Sequence, residues 1–598
     1  MKGISISHFD LATVDFLTNK MLSAKTAWVN TEALSHPSFK APDTAGDLTK
    51  LQNPDSFCDY FAYGIMGNDK FDEIVFAPSD KKLLKAERYG GVGISDNGGG
   101  VRCGNIGNFQ IKGIGQNCLV GSGKDAWHAY GCLSMVEAIV ETVNSVVLNR
   151  VLPLGVATCY GLIWTGQDTS CPPSESGNPE TGPGALLVRE ACLRPAHFFR
   201  CNYYQTPERF KNKVLCDVHR TRQVNLQLEE IIGAGKEIIA QVAKFMASCA
   251  KQFAFARVHR ILHGAISPSN ISFDGRWLDL TTATFLDGGR NVASYQQNMP
   301  FLDEWSDVNV IMEEFFYNFG KYVRKDFNIA PLKNYYFSQY DANFAFYLPT
   351  LFGLPAGIGL NGKNNENLLV LAGAYSAILL KNKKVDFKYP EKFNDTDPVV
   401  EFIESLFLCT ARKRHGTEGA EIFNCKAAKD AHINAFSHLL DERYEIEKTG
   451  YETSYSSFLV KIFIQSLRKC YFGALFYKLQ ILSSTRTFLK TCAPTDVALF
   501  INEFDGASKW IYGDADSLMQ VVIVDSVNYK IAFNVLSDDF LFIDNLQGTK
   551  KIYLCANELA SVIEMIRYQD FRVNGFSLKN GCIRLLKKMA ILKSLIVG

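Results

Sequence analysis

The stretch "HGAISPSNISFDGRWLDL", His263 to Leu280, decides how this chain is read. His-Gly opens a turn, Asn270 is the eighth residue, and Asp279 lies nine residues beyond it. This is the cadence of a loop that holds a metal-nucleotide complex. The position before Asn270, where such a loop usually keeps a carboxylate, is Ser269. The chemistry has therefore been lost or changed.

At 598 residues the chain exceeds the usual domain size several-fold, so two to four packed units are expected. With 47% hydrophobic and 21% charged residues it has the composition of an ordinary globular protein. The 63 basic and 62 acidic side chains nearly cancel, which disfavours a nucleic-acid partner. Asp10 and Asp15 interrupt the start of the chain, so no secretory signal is read there. The longest apolar run, Leu368 to Leu380, is too short for a membrane span and reads as a buried helix. A cytoplasmic protein is expected. The 16 cysteines include no Cys-x-x-Cys pair, so zinc is disfavoured and reduced, apolar cysteines are expected.

The pattern changes along the chain. Residues 1–80 are mixed, with "FDEIVFAP" as a strand, and look like a leading segment. Residues 81–224 form a strand-rich lobe that includes the glycine-rich "YGGVGISDNGGGVRCGNIGNFQIKGIG", read as a hairpin turning at "NIGN". A helix over "AYGCLSMVEAIVETVNSVVLNRV" and two strands separated by a loop from Gln167 to Gly184 complete that lobe. Residues 225–398 read as a helical lobe carrying the opening motif, 399–500 as a helical extension, and 501–598 as a β-meander with a covering helix.

Glycines near a hairpin let the backbone approach a polyphosphate, although alone they more often make a flexible turn. Lys112, near the end of the next strand, stands where a kinase-like fold places its phosphate-binding lysine. The helix that follows offers Glu137, or Glu141 one turn later, as its ion-pair partner. The ordered segments "NGGGVR", "IKGIG", "GSGK", "GALLVREACLRPAHFF" and "HGAISPSN...LDLTTATFLD" resemble selenoprotein O, a family of kinase-fold proteins that transfer AMP. The resemblance covers Tyr89 to Asp287, about a third of the chain.

The resemblance implies an α+β, bilobal protein-kinase-like core, to which the helical extension and the meander are added. It implies that Gly98, Gly100 and Arg102 line ATP, that Lys112 binds phosphate, and that Gly123 and Lys124 end a second glycine turn. In that turn Ser122 replaces the family's aspartate. Arg189 and Arg194 match two arginines that hold the phosphates, with two residues fewer between them than usual. Asn270 and Asp279 would be the magnesium ligands. Magnesium prefers oxygen ligands and usually takes one carboxylate beside phosphate oxygens, while two arginines and a lysine can neutralise a triphosphate. In this family the nucleotide is understood to bind flipped, presenting its α-phosphate.

Other motifs do not carry chemistry. "GSGKD" imitates a phosphate loop, but Cys118 occupies the earlier glycine position and Asp125 follows Lys124, which leaves no hydroxyl for magnesium. His263 is expected to anchor its loop, and His432 and His438 lack metal-ligand spacing.

Two functions fit these residues. The first is magnesium-dependent adenylyl transfer from ATP to a protein or peptide acceptor. The second is a nucleotide-binding pseudoenzyme that serves as a scaffold for a partner modification enzyme. Under the first, Ser269 marks a change of acceptor: a hydroxyl needs a base, whereas a carboxylate is already ionised near pH 7. The product would be an acyl-adenylate, as in maturation of a ribosomal peptide such as a microcin.

Overall fold

A computed structural model describes residues 4–36, 48–67, 74–94, 96–121, 130–171, 180–286, 303–360, 364–381, 397–415, 428–448 and 454–597. The protein is mixed α+β, with one large antiparallel sheet and extensive helical regions.

The sheet contains β1 (Thr13–Met21), β2 (Lys25–Val29), β3 (Tyr63–Gly64), β4 (Phe76–Glu87), β5 (Cys103–Ile106), β6 (Phe109–Lys112), β7 (Cys159–Cys171) and β8 (Glu180–Glu190). Their order is β2-β7-β8-β6-β5-β4-β1-β3. β1 and β2 are consecutive in sequence, joined only by residues 22–24, yet they lie six positions apart in this order. Six spacings of a flat sheet would span about 29 Å. The connection reaches about 15 Å at most. The sheet therefore curls back on itself.

Strand alternation splits β6 between two environments. Phe109 and Ile111 enter an apolar cluster with Phe57, Phe61, Tyr160 and Val188. Gln110 and Lys112 turn to the other face, where β8 sets Arg189 opposite Gln110. The helix Met135–Val151 covers that face, capped at its start by Ser134, whose hydroxyl accepts from Glu137 N at 3.1 Å.

The helices Asp217–Ile232, Lys236–Val258, Asp307–Val323 and Ala330–Leu351 follow the sheet. The loop 263–283 hangs between two short paired strands, β9 (Ile261–Leu262) and β10 (Thr284–Phe285). Beyond it run the helices Asn365–Lys381, Pro398–His415, Asp430–Lys448, Tyr455–Phe472, Lys478–Thr491 and Val497–Tyr512. The meander is β11 (Gln520–Asp525), β12 (Tyr529–Asn534), β13 (Asp539–Asp544) and β14 (Thr549–Tyr553), paired in sequence order and followed by the helix Ala556–Met565. The helix Lys579–Val597 follows these.

Several expectations need correction. Residues 1–80 are no leading segment, because β1, β2 and β3 belong to the sheet. The boundaries at 80, 224 and 500 cut through β4, the helix Asp217–Ile232 and the helix Val497–Tyr512. One apolar core runs from Ile6 to Leu595, so the extension and the meander share it with the helical lobe. The expected loop from Gln167 to Gly184 is partly strand, since β7 continues to Cys171 and β8 begins at Glu180. The helix over Leu368–Leu380 buries one stripe, Leu368, Leu371, Tyr375 and Leu379, but leaves Leu369 and Leu380 exposed. Cys409 is disulfide-bonded, whereas Cys103, Cys159 and Cys249 are free and buried. Among the described residues no helix is long and apolar enough to cross a membrane.

Candidate functional site

Lys112 Nζ lies 2.7 Å from Glu141 Oε2 and 2.6 Å from Asp279 Oδ1. Arg189 Nη1 reaches the same two carboxylates, at 2.6 Å and 2.9 Å. Three elements thus converge: β6 and β8 give the cations, the helix gives Glu141, and the loop gives Asp279. Gly113 lets β6 end there. Its φ is +101°, and a Cβ would sit 2.4 Å from the Ala185 carbonyl oxygen.

Glu137 does not pair with Lys112. It faces Arg102, with Nη1 to Oε2 at 3.6 Å, and both side chains are partly exposed. Four residues is one helical turn, so Glu137 lies on the same side of the helix but nearer its start, beyond reach of Lys112.

Arg194 is buried one layer away. Its guanidinium lies 3.1 Å from Glu87 Oε2, donates to the Ser269 carbonyl at 3.1 Å, and sits over the Tyr89 ring. Glu87 accepts from Asn105 and Gln110 through its other oxygen, at 2.8 Å and 2.7 Å. Burial alone would raise the Glu87 carboxyl, but Arg194 and His197 outweigh it and lower the group to about 2. Glu87, Gln110 and His197 were not singled out from sequence. His197 stands inside the quoted "LRPAHFF", but nothing there distinguishes it from a core histidine.

The loop is braced from both sides. His263 Nε2 donates to the Leu278 carbonyl at 2.8 Å, and Nδ1 accepts from Ala265 N at 3.2 Å. Glu304 accepts from His263 N and Gly264 N, at 3.0 Å and 2.6 Å. Asn144, on the helix, donates to the Leu280 carbonyl at 2.8 Å. Burial lowers the His263 imidazole to about 4, so the ring is neutral and anchors the loop.

Asp279 occupies the left-handed region, with φ +55° and ψ +63°. Burial opposes its ionisation, yet Arg189 and Lys112 hold its carboxyl well below the usual carboxylate range. Asn270 Nδ2 donates to the Ala265 carbonyl at 2.8 Å, which leaves Oδ1 for other partners, and Ser269 Oγ donates to it at 3.3 Å. Ser269 also contacts Ser267 Oγ at 3.0 Å. The remaining acid of the loop, Asp274, is bound by Ser272 and Arg276.

The glycine turn differs from expectation. Gly98 N donates to the Leu119 carbonyl at 2.8 Å and Gly100 N to the Glu87 carbonyl at 3.0 Å. Both amides are thus occupied within the protein instead of being open to a phosphate. A Cβ on Gly98 would lie 2.8 Å from the Tyr204 ring. These glycines permit close packing. Gly123 and Lys124, with Ser122, lie outside the described residues.

Taken together, four cations (Arg102, Lys112, Arg189, Arg194) face four carboxylates (Glu87, Glu137, Glu141, Asp279). The cluster has no surplus charge for an anion. Among the described residues no three His, Cys, Asp or Glu side chains group as metal ligands. A divalent ion here would rely on the oxygens of Asp279 and Asn270 and on phosphate, which fits magnesium. No protein-family model matches the chain, and no curated protein matches it either.

Proposed function

We propose that the chain binds ATP with magnesium at the Lys112–Asp279 cluster between sheet and loop and transfers AMP to a protein or peptide acceptor, with a carboxylate as the attacking group. The observation that carries this is the Lys112–Glu141–Arg189–Asp279 cluster. A strand lysine joined to a glutamate of the following helix, across from a loop carboxylate, is the arrangement that kinase-like phosphate chemistry requires. It supports a bilobal kinase-like core of the selenoprotein O kind.

Asp279 and Asn270 would hold the magnesium ion, which when bound supplies positive charge to the phosphates. Glu141 holds Lys112 and Arg189, and these two would meet the phosphates. Arg194 fixes the loop through the Ser269 carbonyl. A carboxylate acceptor attacks the α-phosphorus, the bond to the bridging oxygen breaks, and pyrophosphate leaves. No proton has to be removed from the acceptor. Ser269, its hydroxyl shared with Ser267 and Asn270, fits that requirement, since a carboxylate there would repel the attacking group. Activation of a ribosomal peptide at its C-terminus, as in microcin maturation, is the setting we favour.

A second reading has its own support. Every cation of the cluster already has a carboxylate, and the Gly98 and Gly100 amides are taken. A pseudoenzyme that supports another modification enzyme would keep such a closed cluster. Incubation with ATP labelled at the α- or γ-phosphate separates the two. Magnesium-dependent transfer of the α label supports the first reading. No transfer of either label supports the second, and transfer of the γ label overturns both.

A further inference from the structure

The helix Tyr455–Phe472 is apolar on most sides but carries Lys461, Gln465, Arg468 and Lys469 along one stripe. That stripe lines a cavity of about 630 Å³, within the roughly 300–1,000 Å³ of small-molecule sites. Three other segments line it: the helix Asp430–Lys448 with Arg443 and Glu447, the turn at Thr350–Pro355, and the segment Tyr512–Leu518. None of these residues belongs to the Lys112–Asp279 cluster.

The cations are not balanced. Asp516 is taken by Arg468, whose Nη1 and Nη2 lie 2.7 Å and 2.6 Å from its two oxygens. Glu447 is shared by Arg443 at 2.6 Å and Lys461 at 3.1 Å. Asp514 is drawn to Arg150, 2.7 Å away. Lys469 has no ion pair among the described residues, and its ammonium donates only to the Thr350 carbonyl, at 3.0 Å. Burial, and then Arg468 beside it, lower that ammonium to about 8. Arg443 Nε, also buried, has no hydrogen-bond partner. Four cations therefore meet two available carboxylates around one depression, which leaves a local excess of positive charge for an anion to complete.

We propose that this cavity binds a small organic anion, a carboxylate or phosphate ester on an apolar body, whose charged end sits at Lys469. The apolar body is implied by Leu354, Pro355, Ile462 and Tyr512, which share the lining with the cations. Shape and charge thus ask for the same molecule: one anionic end and one apolar end.

Calorimetric titration of the full chain with phenyl phosphate, phenylacetate, inorganic phosphate and benzyl alcohol tests this. At least one of the two organic anions should bind, and benzyl alcohol and inorganic phosphate should both bind more weakly. Which anion binds more tightly identifies the head group. Lys469→Met should weaken binding by about 10-fold or more, the scale of one charged hydrogen bond. Lys469→Arg should retain most of it, and Asp279→Asn should leave it unchanged. Leu518→Trp, at the exposed rim, should block entry without removing a charge, which keeps the test sound if Lys469→Met does not fold. The proposal is overturned if neither organic anion binds, if both Lys469→Met and Leu518→Trp bind as well as wild type, or if Asp279→Asn abolishes binding.

Discussion

Asp279 Oδ1 lies 2.6 Å from Lys112 Nζ, although 167 residues separate them in sequence. Because Lys112 and Arg189 are also held by Glu141, removing the Asp279 carboxylate leaves neither cation unpaired. Asp279→Asn should therefore keep its circular dichroism spectrum. It should lose magnesium-dependent ATP affinity by more than about 10-fold, since even outer partners of metal ligands cost that much. Titration with ATP in magnesium and in EDTA checks this, and equal affinity in the two would contradict it.

Glu141 and Glu137 should differ sharply in cost. Glu141 is 1% exposed and accepts from two buried cations, so Glu141→Ala leaves both to Asp279 alone and should destabilise by about 1.5–3 kcal/mol. Glu137 is 27% exposed and 3.6 Å from Arg102, and Glu137→Ala should cost about 1 kcal/mol or less. Urea unfolding of the two variants measures the difference.

His263 gives the loop a pH dependence of definite sign. Its imidazole falls from 6.5 to about 4 through burial, so the folded state favours the neutral ring. Its contribution to stability is complete above pH 6.5 and is lost as the pH falls toward 4, by at most about 3 kcal/mol. His263→Gln can keep the donation to the Leu278 carbonyl without titrating. Over that interval its thermal midpoint should fall less than that of wild type.

Ser269→Asp should slow adenylyl transfer to a carboxylate acceptor, because the new charge repels the attacking group. Hydroxylamine added to a reaction of wild type, ATP and the peptide acceptor should trap a hydroxamate. AMP found on a Ser, Thr or Tyr side chain, stable to hydroxylamine, would instead mean a hydroxyl acceptor and would reject the carboxylate reading.

What could be read from the sequence was local. The hairpin near "NIGN", the helix after it and the four meander strands carry their own periodicity and turn residues; the meander strands stand where the pattern put them, whereas the helix begins only at Met135 and the first hairpin strand only at Cys103. Lys112 and Asp279 were legible because a strand end and a loop spacing mark them. The choice between Glu137 and Glu141 was not, because both lie on one helix face and only the height of the helix against β6 decides it. Glu87 was hidden for the same reason: a charged strand end is ordinary until Arg194 and His197 are packed against it. The amides of Gly98 and Gly100 looked open because composition shows glycine but not what its N–H faces.

The curl of the sheet also sets an order in time. Among the described residues β2 has β7 as its only neighbour in the sheet, with Lys25 opposite Trp164. While the ribosome is still adding the residues between them, β1 can already join β4, but β2 emerges with no strand to take its free edge. The seam closes only after β7 is made, which places a long-range contact at the start of the chain under the control of its middle. A nascent chain halted before residue 159 would thus carry an open edge, the kind of surface that chaperones must cover.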